Sequence, residues 1–214
     1  MRKGRCVPMM ALCLLLMGCG AGEESAAETF LQPYREMAGC AMTAEVRLSG
    51  EDGTVGDFTL RCGYDPEGVT TVEVLAPETA TGVTAELDGE ELSLRYQDLC
   101  LGAGTVSGEK LSPMECLPEL MAALREGWLL AESREEVEGE PCLRLELDRT
   151  GREGGKLVST LYLREGDGVP VYGEIAAEGE VLLKAAQKST YFCKKDKKVS
   201  DTGREGGGED SVSR

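Results

Sequence analysis

The sequence predicts an α+β fold in which a strongly curved antiparallel sheet of about 9–11 strands has one face covered by a few short helices. Three observations predict it. Nine segments alternate apolar and polar side chains with period two, short turn signals separate most of them, and only two segments carry helical spacing. A sheet that is apolar on one face must bury that face, and the two helices are the covers at hand.

The elements follow in chain order. "ETFLQPYREMAG" puts Phe30, Leu31, Tyr34, Met37 and Ala38 at helical spacing, with Gly39 as the expected C-terminal cap. Pro33 lies inside this pattern, so a kink or a late start is expected. From Ala41 the period changes to two. Met42, Ala44, Val46 and Leu48 alternate with Thr43, Glu45 and Arg47, and Phe58, Leu60, Cys62 and Tyr64 alternate with Asp57, Thr59 and Arg61. The pattern recurs in "VTTVEVLAP", "TGVTAELDG", "ELSLRYQ", "PCLRLELDR", "KLVSTLYLRE", "VPVYGEIAAEG" and "VLLKAAQKSTYFC". Turn signals lie at residues 51–53, 65–68, 88–89, 165–168 and 178–179.

The second helix is the better marked of the two. In "SPMECLPELMAALREG", Ser112 is the N-cap, Pro113 is N1, Glu115 at N3 completes a capping box, and Gly127 closes the helix. Leu117, Leu120, Met121 and Leu124 form one apolar stripe. Pro118 falls within it and is expected to divide the helix into two turns.

Both ends of the chain read as something other than globular domain. Arg2, Lys3 and Arg5 precede an apolar run from Val7 to Met17. That run is shorter than the roughly 20 residues a bilayer requires, and with small residues at its end it matches a secretory signal peptide. Leu16-Met17-Gly18-Cys19 resembles the lipobox of bacterial lipoproteins, which implies cleavage before Cys19 and acylation of its thiol. The expected organisation is a lipoprotein signal peptide at 1–18, a tether at 19–27, a domain at 28–193 and a disordered charged tail at 194–214. The implied location is the extracytoplasmic face of the cell membrane, with the lipid as the membrane contact.

Residues 19–193 hold 14 Lys and Arg against 34 Asp and Glu, a net charge of −20. Such a body repels phosphate backbones, so nucleic acid is excluded as a partner. Histidine is absent, which removes the commonest general base and metal ligand, and no cofactor is expected. Cys40, Cys62, Cys100, Cys116, Cys142 and Cys193 contain no C-x-x-C pair, which disfavours zinc; disulfides and free core thiols both remain open. No calcium loop is present.

Other motifs dissolve on inspection. Ser107 and Lys110 match S-x-x-K without the partner motifs of the acylating enzymes. Gly154-Gly155-Lys156 is followed by Leu157 and a strand, where a phosphate loop would have Ser or Thr and a helix. Glu135-Glu136 is one pair among many carboxylates and reads as a solvated face.

The order of lipobox, N-terminal helix, hairpins, "VLAPETATGVTAELDGEELSLRYQDLCLGAG", capped helix and final hairpins resembles the LolA-like superfamily, and within it the lipid-anchored clostridial-type (GerS-like) lipoproteins. Residues 69–127 carry the resemblance most strongly, and the order of elements matches over 26–193. The resemblance implies an unclosed half-barrel over a helical lid. It also implies a non-catalytic lipoprotein that binds or assembles with another envelope protein, such as a cell-wall or spore-cortex enzyme. The alternative is a carrier of an apolar ligand, a lipid or acyl chain, in a cavity lined by Phe58, Leu60, Leu92, Leu94, Tyr96, Leu117, Leu120, Met121 and Leu124. The superfamily's soluble carriers lack the lipidated cysteine.

Overall fold

The structure, a computed structural model, describes residues 25–49, 55–89, 91–105, 111–149 and 157–193. Helix α1 (Ala26–Glu36) leads into six strands: β1 (Gly39–Ser49), β2 (Val55–Tyr64), β3 (Val69–Ala76), β4 (Thr84–Asp88), β5 (Glu91–Tyr96) and β6 (Leu99–Thr105). Helix α2 (Pro113–Glu126) follows. Five strands complete the domain: β7 (Trp128–Val137), β8 (Glu140–Asp148), β9 (Leu157–Arg164), β10 (Pro170–Ala177) and β11 (Glu180–Cys193).

All of these strands form one antiparallel sheet in the order β6-β5-β4-β3-β2-β1-β11-β10-β9-β8-β7, and it is not closed. Two hairpin meanders meet where β1 pairs with β11, placing Val46 opposite Ala185 and Leu48 opposite Leu183. The two edge strands, β6 and β7, are the strands that α2 connects. A chain passing from one edge of a sheet to the other must cross a face, and this puts α2 on the apolar one. Ten inter-strand spacings of about 4.8 Å would set the edges of a flat sheet roughly 48 Å apart. A 14-residue helix spans about 21 Å. Curling the sheet brings both edges within the connection's reach.

Alternation selects the covered face. Leu157, Ser159, Leu161 and Leu163 of β9 are buried while their neighbours are half-exposed, and Leu143, Leu145 and Leu147 of β8 continue the same layer. Against this layer α2 presents Met114, Leu117, Leu120, Met121 and Leu124. Helix α1 adds Ala27, Leu31 and Tyr34 at i, i+4 and i+7.

Several expectations need correction. Helix α1 begins at Ala26 and ends at Glu36, without the late start expected from Pro33, and its cap is Met37. Gly39 instead opens β1, where a Cβ would lie 2.6 Å from the Tyr64 carbonyl oxygen; glycine permits that close strand approach. Pro118 does not divide α2, which runs unbroken. An interior proline costs about 3 kcal/mol, and here nearly every side chain from Met114 to Leu124 is buried, so packing outweighs it. The two edge strands were not anticipated as strands. The 65–68, 88–89, 165–168 and 178–179 turns are present, while the 51–53 turn, the leader, Cys19 and the 194–214 tail lie outside the described residues.

Candidate functional site

The lid is built from its N-terminus upward. Glu115 Oε2 accepts the Ser112 backbone N–H at 2.9 Å, the carboxylate arm of the expected capping box. At the far end Gly127 is the sole residue between α2 and β7, and a Cβ there would sit 2.5 Å from the Ala123 carbonyl oxygen. The helix therefore abuts the edge strand directly. Midway along it, Leu120 rests on Gly173 of β10; a Cβ added at Gly173 would lie 2.9 Å from Leu120 Cδ1.

The first helix is held at three points. Glu132 of β7 accepts from Ser25 Oγ at 2.5 Å and from the Ala27 N–H at 3.0 Å. These donors hold the Glu132 carboxyl below its usual range. Tyr34 Oη donates to the Gly168 carbonyl at 2.6 Å, and burial pushes its phenol well above the ordinary value. Arg125 of α2 donates to the Met37 carbonyl at 3.1 Å.

With both helices seated, little space remains beneath α2 at Leu120 among the described residues. The void bounded by Met42, Ala44, Leu117, Leu120, Met121, Leu161, Gly173 and Ala185 is about 10 Å³, room for one water molecule at most. Of the residues expected to line a cavity, Leu60, Leu117, Leu120, Met121 and Leu124 are buried in the core, and Phe58, Leu92 and Leu94 pack partly buried against it. Tyr96 stands apart, 45 % exposed at the end of β5.

Tyr96 belongs to an apolar patch that the sequence reading missed. Leu94 pairs with Leu101 and Tyr96 with Leu99, so these four share the inner side of the sheet beyond the lid. Leu99 is 66 % and Leu101 65 % exposed. At the opposite edge Trp128 is 73 % exposed, with Leu129 and Leu130 beside it. The signal available for both was the clustering of apolar residues in "LCLGA" and "WLL".

A second hollow, of about 530 Å³, lies across five neighbouring strands and is lined by Arg47, Asp57, Phe58, Pro77, Tyr172 and Lys184 among others. Its charges are mutually satisfied. Arg47 Nε lies 2.7 Å from Asp57 Oδ1, which holds the Asp57 carboxyl low, and Lys184 Nζ lies 3.0 Å from Glu174 Oε1, which also accepts from Tyr172 Oη at 2.7 Å. Glu45, also in the lining, pairs with Lys188, so among the described residues the hollow offers a ligand no charge that is not already paired.

The thiols are settled in part. Cys62, Cys116 and Cys142 are free and buried, Cys40 is buried as well, and Cys100 is free and exposed on β6. Burial pushes the Cys116 thiol up to about 12 and raises Cys62 as well, so both are neutral packing groups at ordinary pH. Among the described residues no three His, Cys, Asp or Glu side chains are grouped so as to hold a metal ion, and no helix is long and apolar enough to cross a membrane. Ser107, Lys110 and Gly154–Lys156 lie outside the described residues, and Glu135-Glu136 is exposed on β7, with Glu135 3.6 Å from Arg144.

No protein-family model matches the sequence, and no curated protein matches it. Solved structures of similar outline exist. A LolA superfamily protein of Nitrosomonas europaea shares 11 % identity over 77 % of this chain and 92 % of its own, with a TM-score of 0.43. A DUF1329 family protein of Desulfovibrio piger shares 9 % identity over 78 % and 90 %, with a TM-score of 0.46. The lipoprotein LppX of Mycobacterium tuberculosis shares 15 % identity over 75 % and 94 %, with a TM-score of 0.35. The unclosed half-barrel of this chain stands on its own strand order.

Proposed function

We propose that the mature chain is a non-catalytic envelope lipoprotein of GerS-like type, anchored through acylated Cys19, whose half-barrel docks another envelope protein. A cell-wall or spore-cortex enzyme is the class of partner that fits. The observation that carries this reading is the filled lumen. With about 10 Å³ left where Leu120 meets β10, the part of the concave face beneath α2 is occupied by the chain's own helix, and recognition falls to the outer surfaces and the uncovered edges. The acidic body supplies long-range attraction for a basic partner, an effect on encounter rate that falls with salt. The test has two arms. Radiolabelled palmitate should enter the wild-type chain and not Cys19→Ala. A partner cross-linked to the wild type in envelope membranes should be lost when surface carboxylates are reversed to lysine; retention of that partner overturns the reading.

A second reading, the carrier of an apolar ligand, draws on the exposed Tyr96, Leu99 and Leu101 beyond the lid. An acyl chain lying along these residues would be covered on one side only. Native mass spectrometry of detergent-free protein decides it: a stoichiometric co-purified lipid favours carriage, and its absence removes this reading.

A further inference from the structure

A cavity of about 190 Å³ lies on the side of α2 that does not face the apolar layer, against the β2–β3 and β4–β5 turns. Its charged lining consists of Asp65, Glu115, Glu119, Glu126 and Arg149, four carboxylates against one guanidinium. Arg149 is already committed, with Nη1 3.1 Å from Glu119 Oε2 and Nη2 3.6 Å from Glu126 Oε2. Glu115 is only 5 % exposed, and while its Oε2 serves the helix cap, its Oε1 makes no hydrogen bond among the described residues. A buried carboxylate oxygen without a donor is a standing cost, and it marks where a donor belongs.

We propose that this cavity receives one basic side chain, Lys or Arg, from the docked protein partner. An ammonium or guanidinium supplies donors only, which is what an excess of carboxylate acceptors requires. At about 190 Å³ the cavity has room for a single lysine or arginine side chain. Tyr64, Leu87 and Pro118 in the walls offer apolar surface to its methylene stem. A metal ion fits poorly, because Arg149 places a positive charge in the wall and no three metal-capable groups converge among the described residues. This inference rests on the docking reading and names one contact within it.

The experiment titrates the full-length mature protein with n-butylguanidinium chloride, with uncharged n-butylurea as control, and follows backbone amide shifts by NMR. The expected result is saturable shifts at Gly68, Glu115 and Glu119 with butylguanidinium alone. Glu115→Gln keeps the helix cap, since glutamine at N3 accepts the same backbone bond, and should weaken binding about tenfold or more without a change in melting temperature. The same variant should lose the cross-linked partner. Absence of saturable binding, or equal binding by Glu115→Gln, overturns the proposal. If the variant loses butylguanidinium yet keeps the partner, the cavity is not the contact and the docking reading survives. If the wild type binds butylguanidinium but cross-links no partner, the docking reading fails and this inference fails with it.

Discussion

Replacing Leu120 by alanine tests the filled lumen directly. Leu120 is buried, lies over Gly173 and borders a void of only about 10 Å³, so its neighbours have no slack to take up. Removing three carbons from such a site costs the transfer energy of those atoms plus the cavity left behind, about 3–5 kcal/mol. For a domain of this size that lowers the melting temperature by about 6–20 °C. Gly173→Ala approaches the same contact from the sheet, since its new methyl collides with Leu120, and should cost about 1–3 kcal/mol. In the double variant the methyl enters space that Leu120 has vacated, so the combined cost should fall short of the sum by about 1 kcal/mol. Urea unfolding followed by far-ultraviolet circular dichroism measures all three. Xenon binding should appear in Leu120→Ala and be absent from the wild type, as for a newly opened dry cavity. A cost below about 1 kcal/mol for Leu120→Ala, or strict additivity in the double variant, would show that α2 does not fill the half-barrel.

Three further outcomes follow from the same geometry. Cys116 and Tyr64 both titrate near 12 in the fold, above their ordinary values of 9.0 and 10.0, because burial disfavours the anions. Stability should therefore be intact below about pH 9 and fall as pH rises toward 12, with Cys116→Ala flattening the decline; a urea midpoint independent of pH across that range would contradict this. The Glu132 carboxyl is held below its ordinary 4.5 by Ser25 and Ala27, so its contribution is present above that value and is lost as pH falls through the folded one. Acidification and Glu132→Ala should both lower the amide protection factors in α1, taken relative to the intrinsic exchange rate at each pH, while β8 and β9 keep theirs, and protection in α1 unaffected by either would exclude the tie. Trp128 is the only tryptophan, so fluorescence reports it alone. Its emission should match that of free indole in water and be fully open to acrylamide, whereas a blue-shifted band would mean that the β7 edge is covered.

Period-two alternation identified the nine interior strands because each has one face against the core and one outside it. Val72 and Val74 of β3 are buried between more exposed neighbours, and Leu157 through Leu163 repeat the pattern. The second helix announced itself through Ser112, Pro113, Glu115 and Gly127, whose roles are local to the chain. The edge strands carried no such mark. Strand β7 is exposed along almost its whole length, and a strand without a buried face has no burial periodicity to leave in its residues. In "LCLGAGT" the glycines read as loop, and the pairing of Leu99 and Leu101 with Tyr96 and Leu94 supplies what the local chain does not.

The local chain also determined which residues are apolar enough to line a lumen, and it did so for Leu60, Leu117, Leu120, Met121 and Leu124. Whether those side chains enclose space or fill it depends on the distance between α2 and β10, and hence on Leu120 meeting Gly173, two residues 53 positions apart. The acidic cavity has the same origin. In sequence Glu115 reads as a cap residue and Glu119 as an ordinary helix residue, and only the approach of Arg149 and the β2–β3 turn buries them together. Periodicity, caps and charge are properties of neighbours along the chain, so sequence carries them; filled volume, edge position and shared burial are properties of neighbours in space, and folding alone creates them.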